Sequence, residues 1–325
     1  MLLITSIKQW RSKQMTKIGL LMSGQGSEKV GMGNDLYQTY PQYRAVIDQA
    51  SAYAKLNLPA IMNDATLLGQ TRYAQPALVA MSVGINALLA DADIVVAGAI
   101  GLSLGEYAAL ITSGQLSLAE GMPLVVQRGA LMQAAIGDQA HAMAAILKPD
   151  IAQVEAACAT LQAQGQQVSI ANYNSPQQIV VGGTEAGVTA LLTALPEMRA
   201  LRLPVKGAFH TPLFEQAALN FQTALAAVDF QVGDYPVISN TTEKPFAPDS
   251  IRTTLVAQMA QPTHFATGLR QLADSGVTTL IEVGPGNALS KFARQTVPDL
   301  ARFNISNADQ FETVVASLKG ESIND

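Results

Sequence analysis

The chain has 325 residues, 49% hydrophobic and 14% charged, with a formal net charge of −5. That length suits two domains, or one large domain with an insertion, and the apolar content excludes general disorder. The acidic balance without a basic stripe excludes the usual footprint of a nucleic-acid binder, the single cysteine (Cys158) excludes an intramolecular disulfide or thiolate cluster, and three widely spaced histidines leave no His-rich metal site.

The first fourteen residues, MLLITSIKQWRSKQ, place apolar residues before Lys8, Arg11 and Lys13. That is the reverse of a signal peptide's charge order, and no small-residue cleavage site follows. Residues 1–14 therefore read as an extension, or as sequence upstream of a second start, ahead of a domain beginning at Met15. Residues 18–22 read as a strand running into the glycine turn Gly24-Gln25-Gly26. Residues 75–89 read as a helix with Pro76 in its first turn, where the missing N–H does no harm. Residues 94–100 are continuously apolar, as central parallel strands are. The uncharged run 94–105 is far shorter than the roughly 20 residues a membrane span needs. No membrane segment is expected, and the chain reads as cytoplasmic.

Helices follow from Glu106 and over 118–135. The next stretch reads as strand 141–147, helix 150–164, strands 168–173 and 178–181, helix 185–195 and strand 201–205. That β-α-β-β-α-β order is the ferredoxin-like pattern. It places a small inserted domain at 138–206, with a large α/β domain built from 15–137 and 207–320. The large domain continues with a helix from Pro212, a strand at 237–239, a helix ending near Gln258, and a strand at 279–283 that runs into Gly-Pro-Gly and another helix. The expected fold class is α/β: a parallel sheet carrying a hydrolase-like nucleophile elbow, plus the inserted ferredoxin-like unit.

The sharpest local feature is Gly101-Leu102-Ser103-Leu104-Gly105, at the junction of the buried strand and the next helix. This is the G-x-S-x-G elbow, whose tight turn requires glycines because neighbouring side chains would collide. It presents the serine hydroxyl at a helix N-terminus, where main-chain N–H groups can hold an oxyanion. A serine nucleophile needs a base. His141 opens a strand and reads as a packing residue, and His264 stands where a helix begins. His210 lies in the loop 206–212 that joins the two expected domains, where clefts are commonly lined; a structural histidine fits that position about as well. Arg128 sits in an otherwise uncharged helical stretch with no acidic residue three or four positions away. A buried arginine needs an anionic partner, supplied either elsewhere in the fold or by a substrate carboxylate. Gln25, in the first glycine turn, offers a main-chain N–H as a second oxyanion donor.

Together these residues resemble the malonyl-CoA:acyl carrier protein transacylases, the acyltransferases of bacterial fatty-acid and polyketide synthesis. The resemblance runs from about Lys17 past Gly286. GQGSEKVGMG (24–33), GLSLGEYAAL (101–110), QRGALMQ (127–133), ANYNSP (171–176), GAFH (207–210), Gln258 in QMAQPTHF and EVGPGNAL (282–289) fall in the family's order. It implies that Ser103 is acylated and that His210 is general base, then general acid. It implies a Ser–His dyad in which a main-chain carbonyl, that of Gln258 or a near neighbour, orients the imidazole. Gln25 and Leu104 N–H would form the oxyanion hole. Arg128 would bind the malonyl carboxylate, with Gln258, Phe209 and Asn174 also at the substrate. Phe209 would crowd a methyl branch. The implied partners are malonyl-CoA and holo acyl carrier protein, with Lys206, Lys291 and Arg294 as docking candidates; no cofactor, metal, nucleic acid or membrane is implied. Two positions depart from the family's habit: Leu102 stands where histidine is common, and Ser23 where proline is common. Neither supplies a catalytic atom, so altered packing is the expected consequence.

The competing readings are a serine hydrolase of the α/β-hydrolase fold and a carrier-protein binding module without catalysis. The first usually brings an HGGG-type oxyanion segment, which this sequence lacks. The second needs none of Ser103, His210 and Arg128. Within the family, a stand-alone polyketide-synthase acyltransferase is the alternative to a fatty-acid enzyme.

Overall fold

The computed structural model describes residues 16–137 and 139–320, so the segment 1–14 and Met15 lie outside the described residues. Among the described residues, nine strands form two sheets: β1 Ile18–Met22, β2 Val96–Gly101, β3 His141–Leu147, β4 Val168–Ser175, β5 Gln178–Thr184, β6 Arg199–Arg202, β7 Val237–Ile238, β8 Thr279–Val283 and β9 Ala301–Ile305. The larger sheet has the order β7-β2-β1-β8-β9, and all its pairings are parallel. Every residue of β1 and β8 is buried, as expected for strands covered by helices on both faces. The smaller sheet, β4-β5-β3-β6, is antiparallel. With the helices Ile151–Ala163 and Glu185–Ala194 it makes the β-α-β-β-α-β unit. Its apolar core, including Ile146, Cys158, Val181 and Leu191, is separate from that of the large sheet.

Helix starts follow local chemistry. Ser117 caps the helix Leu118–Ala134 by accepting from Glu120 N–H, while its hydroxyl donates to the Glu120 carboxylate. Asp150, Thr184 and Asn307 cap the helices that follow them in the same way, through a side-chain oxygen on the third N–H.

Three expectations need correction. The helix expected at 75–89 spans Thr71–Asp91, so Pro76 lies inside it rather than in its first turn. Its start is set by tertiary contact: Gln133 Oε1 accepts the N–H of Arg72, satisfying an early N–H that no local side chain caps. This helix is also long and apolar enough to cross a membrane by length and composition, which the reading of 94–105 overlooked. Of its most apolar window, 78% is buried inside the protein, so it is a core helix. The strand expected at 201–205 lies at Arg199–Arg202, because pairing with β3 ends at Arg202 opposite Ala144 and the chain then turns toward the large sheet. β9 and the helix Ala308–Lys319 were not anticipated.

The small sheet is tied to the large domain through β4, at Thr263 and at the helix Ala288–Thr296, where Ser175 Oγ donates to Gln295 Oε1 at 2.6 Å. Thr263 N–H donates to Ala171 O, Tyr173 N–H donates to Thr263 O at 2.7 Å, and Asn172 Nδ2 reaches Thr263 Oγ1 at 2.7 Å. This joins β4 to the segment leading into the helix Phe265–Asp274. The loop after β6 crosses back beside it, and the space between becomes a cleft at the carboxyl ends of β1, β2 and β8. Open α/β sheets bind their ligands at that end.

Candidate active site

The elbow follows β2 directly. A Cβ on Gly101 would sit 2.0 Å from the Gly105 carbonyl carbon, and one on Gly105 2.2 Å from Met22 O. Only glycine lets the turn fold this closely against β1. Ser103 adopts φ 52°, a left-handed conformation rare for a side-chain-bearing residue, which lifts its hydroxyl into the cleft. The helix Gly105–Thr112 starts immediately behind it.

His210, also at positive φ (61°), brings Nε2 to 2.7 Å from Ser103 Oγ. Its Nδ1 lies 2.7 Å from the main-chain oxygen of Gln258. A carbonyl can only accept, so Nδ1 carries the proton and Nε2 presents its lone pair to the serine O–H. That carbonyl is free because Gln258 ends the helix Ile251–Gln258, where the last carbonyls lack an intrahelical partner. Burial, and then the positive charge of Arg128, push His210 down to about 4, against the opposing pull of the Gln258 carbonyl. The imidazole is therefore neutral at pH 7 and able to accept a proton.

Arg128 is fully buried. Its Nη1 donates to Gln75 Oε1 at 2.9 Å, and its Nη2 donates to Gln258 Oε1 at 2.9 Å and to Ser103 Oγ at 3.2 Å. The guanidinium carbon lies 5.2 Å from the Tyr107 ring centre. Nε has no partner, and no carboxylate lies within ion-pair distance among the described residues. All its polar partners are neutral oxygens. Of the two sources weighed for its anion, the fold supplies none in direct contact.

The cleft, about 460 Å³, is lined by Ser103, Leu104, Gln25, Arg128, His210 and Phe209, with Asn174 on the opposite wall. The N–H groups of Gln25 and Leu104 have no acceptor among the described residues. The Gln25 side chain is held by Thr71 Oγ1 and Gln75 Nε2, each at 3.1 Å, which fixes the turn that carries its N–H. Asn174 Nδ2 donates to Gln178 Oε1, and its Oδ1 is unpartnered. The Phe209 ring packs edge-to-face on Phe214 at 5.2 Å. Leu102 and Ser23 pack at the cleft edge, with Ser23 N–H on Val283 O. His141 sits at the start of β3, 6.2 Å from the Phe214 ring, and His264 precedes the helix Phe265–Asp274 and pairs with Glu243.

One expected substrate contact is corrected. Gln258 does not line the cleft; it is fully buried behind Arg128. Its amide is consumed within the protein: Oε1 accepts from Arg128, and Nε2 donates to Ser103 O at 2.9 Å and to the Glu106 carboxylate. No polar group remains for a ligand.

Sequence reasoning missed Glu106, Asn240 and Gln75. Glu106 is fully buried beneath the elbow and accepts from Asn240 N–H and Gln258 Nε2. Asn240 in turn accepts the Ser103 N–H at 3.0 Å. Burial raises the Glu106 carboxyl to about 7, against the lowering effect of those donors and of Arg128. The signal was present: Glu106 is the one acid in an otherwise apolar helix, as Arg128 is the one base in its own stretch.

The acyl transferase domain family matches residues 20–321. The malonyl CoA-acyl carrier protein transacylase of Bacillus subtilis (strain 168) is 34% identical over 316 residues, covering 95% of this chain and 100% of that protein. A transacylase structure from Streptococcus pneumoniae superposes with a TM-score of 0.89 at 33% identity, covering 93% of this chain and 100% of that one. A malonyl-transacylase solved in complex with a type II polyketide-synthase acyl-carrier protein superposes with the same TM-score of 0.89 at 30% identity, covering 93% of this chain and 100% of that one. Near full-length identity and a shared fold lead to one assignment: the chain belongs to the malonyl-CoA:acyl carrier protein transacylase family.

Proposed function

We propose that this chain transfers the malonyl group from malonyl-CoA to the phosphopantetheine thiol of acyl carrier protein through a malonyl ester on Ser103, supplying fatty-acid synthesis. The observation that carries this reading is the triangle at Ser103 Oγ, with His210 Nε2 at 2.7 Å and Arg128 Nη2 at 3.2 Å. One corner provides the base, and the other provides a cation without a carboxylate of its own.

In the first half-reaction, the Ser103 hydroxyl proton passes to His210 Nε2 as Oγ bonds to the thioester carbonyl carbon. The charge that develops on the carbonyl oxygen falls to the N–H groups of Gln25 and Leu104. The intermediate collapses, the C–S bond breaks, and the coenzyme A sulfur takes the proton from Nε2. The second half-reaction runs the same steps with the carrier-protein thiol as attacking group, and Ser103 Oγ leaves with the proton returned. The Gln258 carbonyl, at a helix C-terminus, favours the imidazolium formed in each transfer. Arg128 grips the free malonyl carboxylate, a charge-assisted contact made by a fully buried guanidinium. The carboxylate would displace neutral partners rather than break an ion pair.

Lys206, Lys291 and Arg294 are exposed. Lys206 follows the cleft residue Val205, and the other two lie on the helix Ala288–Thr296, whose Ala288, Leu289 and Phe292 line the cleft. They form the basic rim at which an acidic carrier protein would dock. The same reading divides the chain into a domain of 15–137 with 207–320 and an inserted domain of 138–206, supported by the separate sheets and cores, and places the protein in the cytoplasm, where Cys158 stays reduced.

Intact-protein mass spectrometry after incubation with malonyl-CoA or acetyl-CoA, beside Ser103→Ala, tests the reading. A malonyl adduct on the wild type alone supports it. Release of coenzyme A without an adduct would make the protein a hydrolase, and no reaction would leave a binding module.

A further inference from the structure

Beneath the cleft, Gln258 has one amide and three claims on it. Its oxygen faces Arg128 Nη2, and its nitrogen faces both Ser103 O and the Glu106 carboxylate. An amide rotated by half a turn would aim N–H groups at a guanidinium that can only donate. Two acceptors on the far side oppose this, the Ser103 main-chain oxygen and the Glu106 carboxylate. Glu106 is 0% exposed, and each of its two carboxylate oxygens is matched to a donor: Oε1 to the main-chain N–H of Asn240, Oε2 to Gln258 Nε2.

We propose that Glu106 is a positioning residue for malonyl recognition: its carboxylate holds the Gln258 amide with the oxygen toward Arg128, and so holds the guanidinium where it meets the substrate carboxylate. The inference rests on the reading of Arg128 as the malonyl clamp. It assigns Glu106 no contact with substrate.

The two donors to Glu106 differ in freedom. The Asn240 N–H belongs to the backbone and cannot turn, whereas the Gln258 amide can. In Glu106→Gln, which keeps the volume but has a single acceptor oxygen, that oxygen goes to Asn240 and the new NH2 faces Gln258. The Gln258 nitrogen then meets a donor and keeps only Ser103 O as its acceptor, so the amide is pushed off its native place and the guanidinium it holds shifts with it. His210 is insulated from the change, because it uses the main-chain oxygen of Gln258 and not the amide. Malonyl transfer, which needs the placed guanidinium, should therefore suffer more than acetyl transfer, which needs only the dyad and the oxyanion donors. A carboxylate that merely stabilised the elbow would affect both substrates alike.

The experiment measures kcat and KM for malonyl-CoA and acetyl-CoA in the full chain, with Glu106→Gln, Gln258→Leu and Arg128→Ala. Arg128→Ala should lower the malonyl-to-acetyl ratio of kcat/KM by at least 100-fold (2.7 kcal/mol at 1.36 per decade), within the range for losing a hydrogen-bonded charge pair. Glu106→Gln should lower the same ratio roughly tenfold, mainly through the malonyl KM, a part of the Arg128 loss. Gln258→Leu, which removes the amide but keeps the carbonyl, should do likewise, and the double variant should lower the ratio no further than either single change. The proposal is overturned if Glu106→Gln reduces both substrates equally. Should that variant fail to fold, Gln258→Leu decides, and an unchanged ratio there overturns it as well. If Arg128→Ala also leaves the ratio unchanged, the clamp reading fails; if Arg128→Ala lowers it and the other two do not, only the role of Glu106 fails.

Discussion

His210 Nε2 lies 2.7 Å from Ser103 Oγ across 107 positions of sequence, and both residues hold left-handed backbone conformations. Two strained residues facing each other across a cleft mark a contact that the surrounding fold over-determines. The elbow glycines let the turn close against β1 with Ser103 at its tip, and the end of the helix Ile251–Gln258 presents the carbonyl that aims His210.

The first prediction concerns that base. His210→Ala should reduce kcat/KM by about 10²–10⁴-fold, the usual contribution of a positioned general base. In the wild type, the acid limb of kcat/KM should fall near pH 4 rather than near the ordinary histidine value, because burial and Arg128 push His210 down to about 4. A limb centred near pH 6.5 would contradict the geometry.

Stability should carry the same signature. His210 titrates at about 4 when folded and about 6.5 when unfolded, so between those values the unfolded chain binds a proton that the folded one refuses. Its contribution is complete above about pH 6.5 and is lost as pH falls toward 4. Glu106, raised from 4.5 to about 7, has the opposite sign: its contribution is complete below about 4.5 and is lost as pH rises through 7. Denaturant titrations should show wild type losing ground to His210→Asn as pH drops from 6.5 to 4, with a constant difference above 6.5.

Phe209 should set the tolerance for substrate branching. Its ring lines the cleft and is braced by Phe214. Phe209→Ala should raise the kcat/KM of methylmalonyl-CoA relative to malonyl-CoA by about 10–200-fold, the range for one methyl group in a pocket. Competition between the two thioesters measures the ratio directly, and no change would place the restriction on another residue.

The elbow should not accept a methyl group. Gly101→Ala would place Cβ 2.0 Å from a backbone carbon, so it should cost about 1–3 kcal/mol or more and slow malonylation of Ser103. Gly165→Ala is the control: its φ of +83° imposes a strain of about 1–2 kcal/mol, but nothing lies within 4 Å of the new Cβ and the cleft is untouched. Its malonylation rate should match the wild type.

Much of this protein was legible without coordinates. β1, β3 and β8 coincide with their expected spans, because short, mostly apolar runs between turn residues are local signals. The G-x-S-x-G elbow was legible for the same reason, since its glycines answer to contacts within a few residues of chain. Arg128 stood out because a base in an uncharged stretch of helix, with no acid three or four positions away, demands an explanation wherever that helix packs. Tertiary structure decided what depends on distant partners. The helix Thr71–Asp91 begins where Gln133, 61 positions away, accepts its N–H, a signal absent from its own sequence. Gln258 lies behind Arg128 rather than on the cleft wall, because three groups from other parts of the chain consume its amide. Glu106 became visible as a hub only when Asn240 and Gln258 were brought to its two oxygens. Spacing along a chain records local sterics and periodicity. It does not record which buried donor meets which buried acceptor, and that pairing sets the polarity of the site.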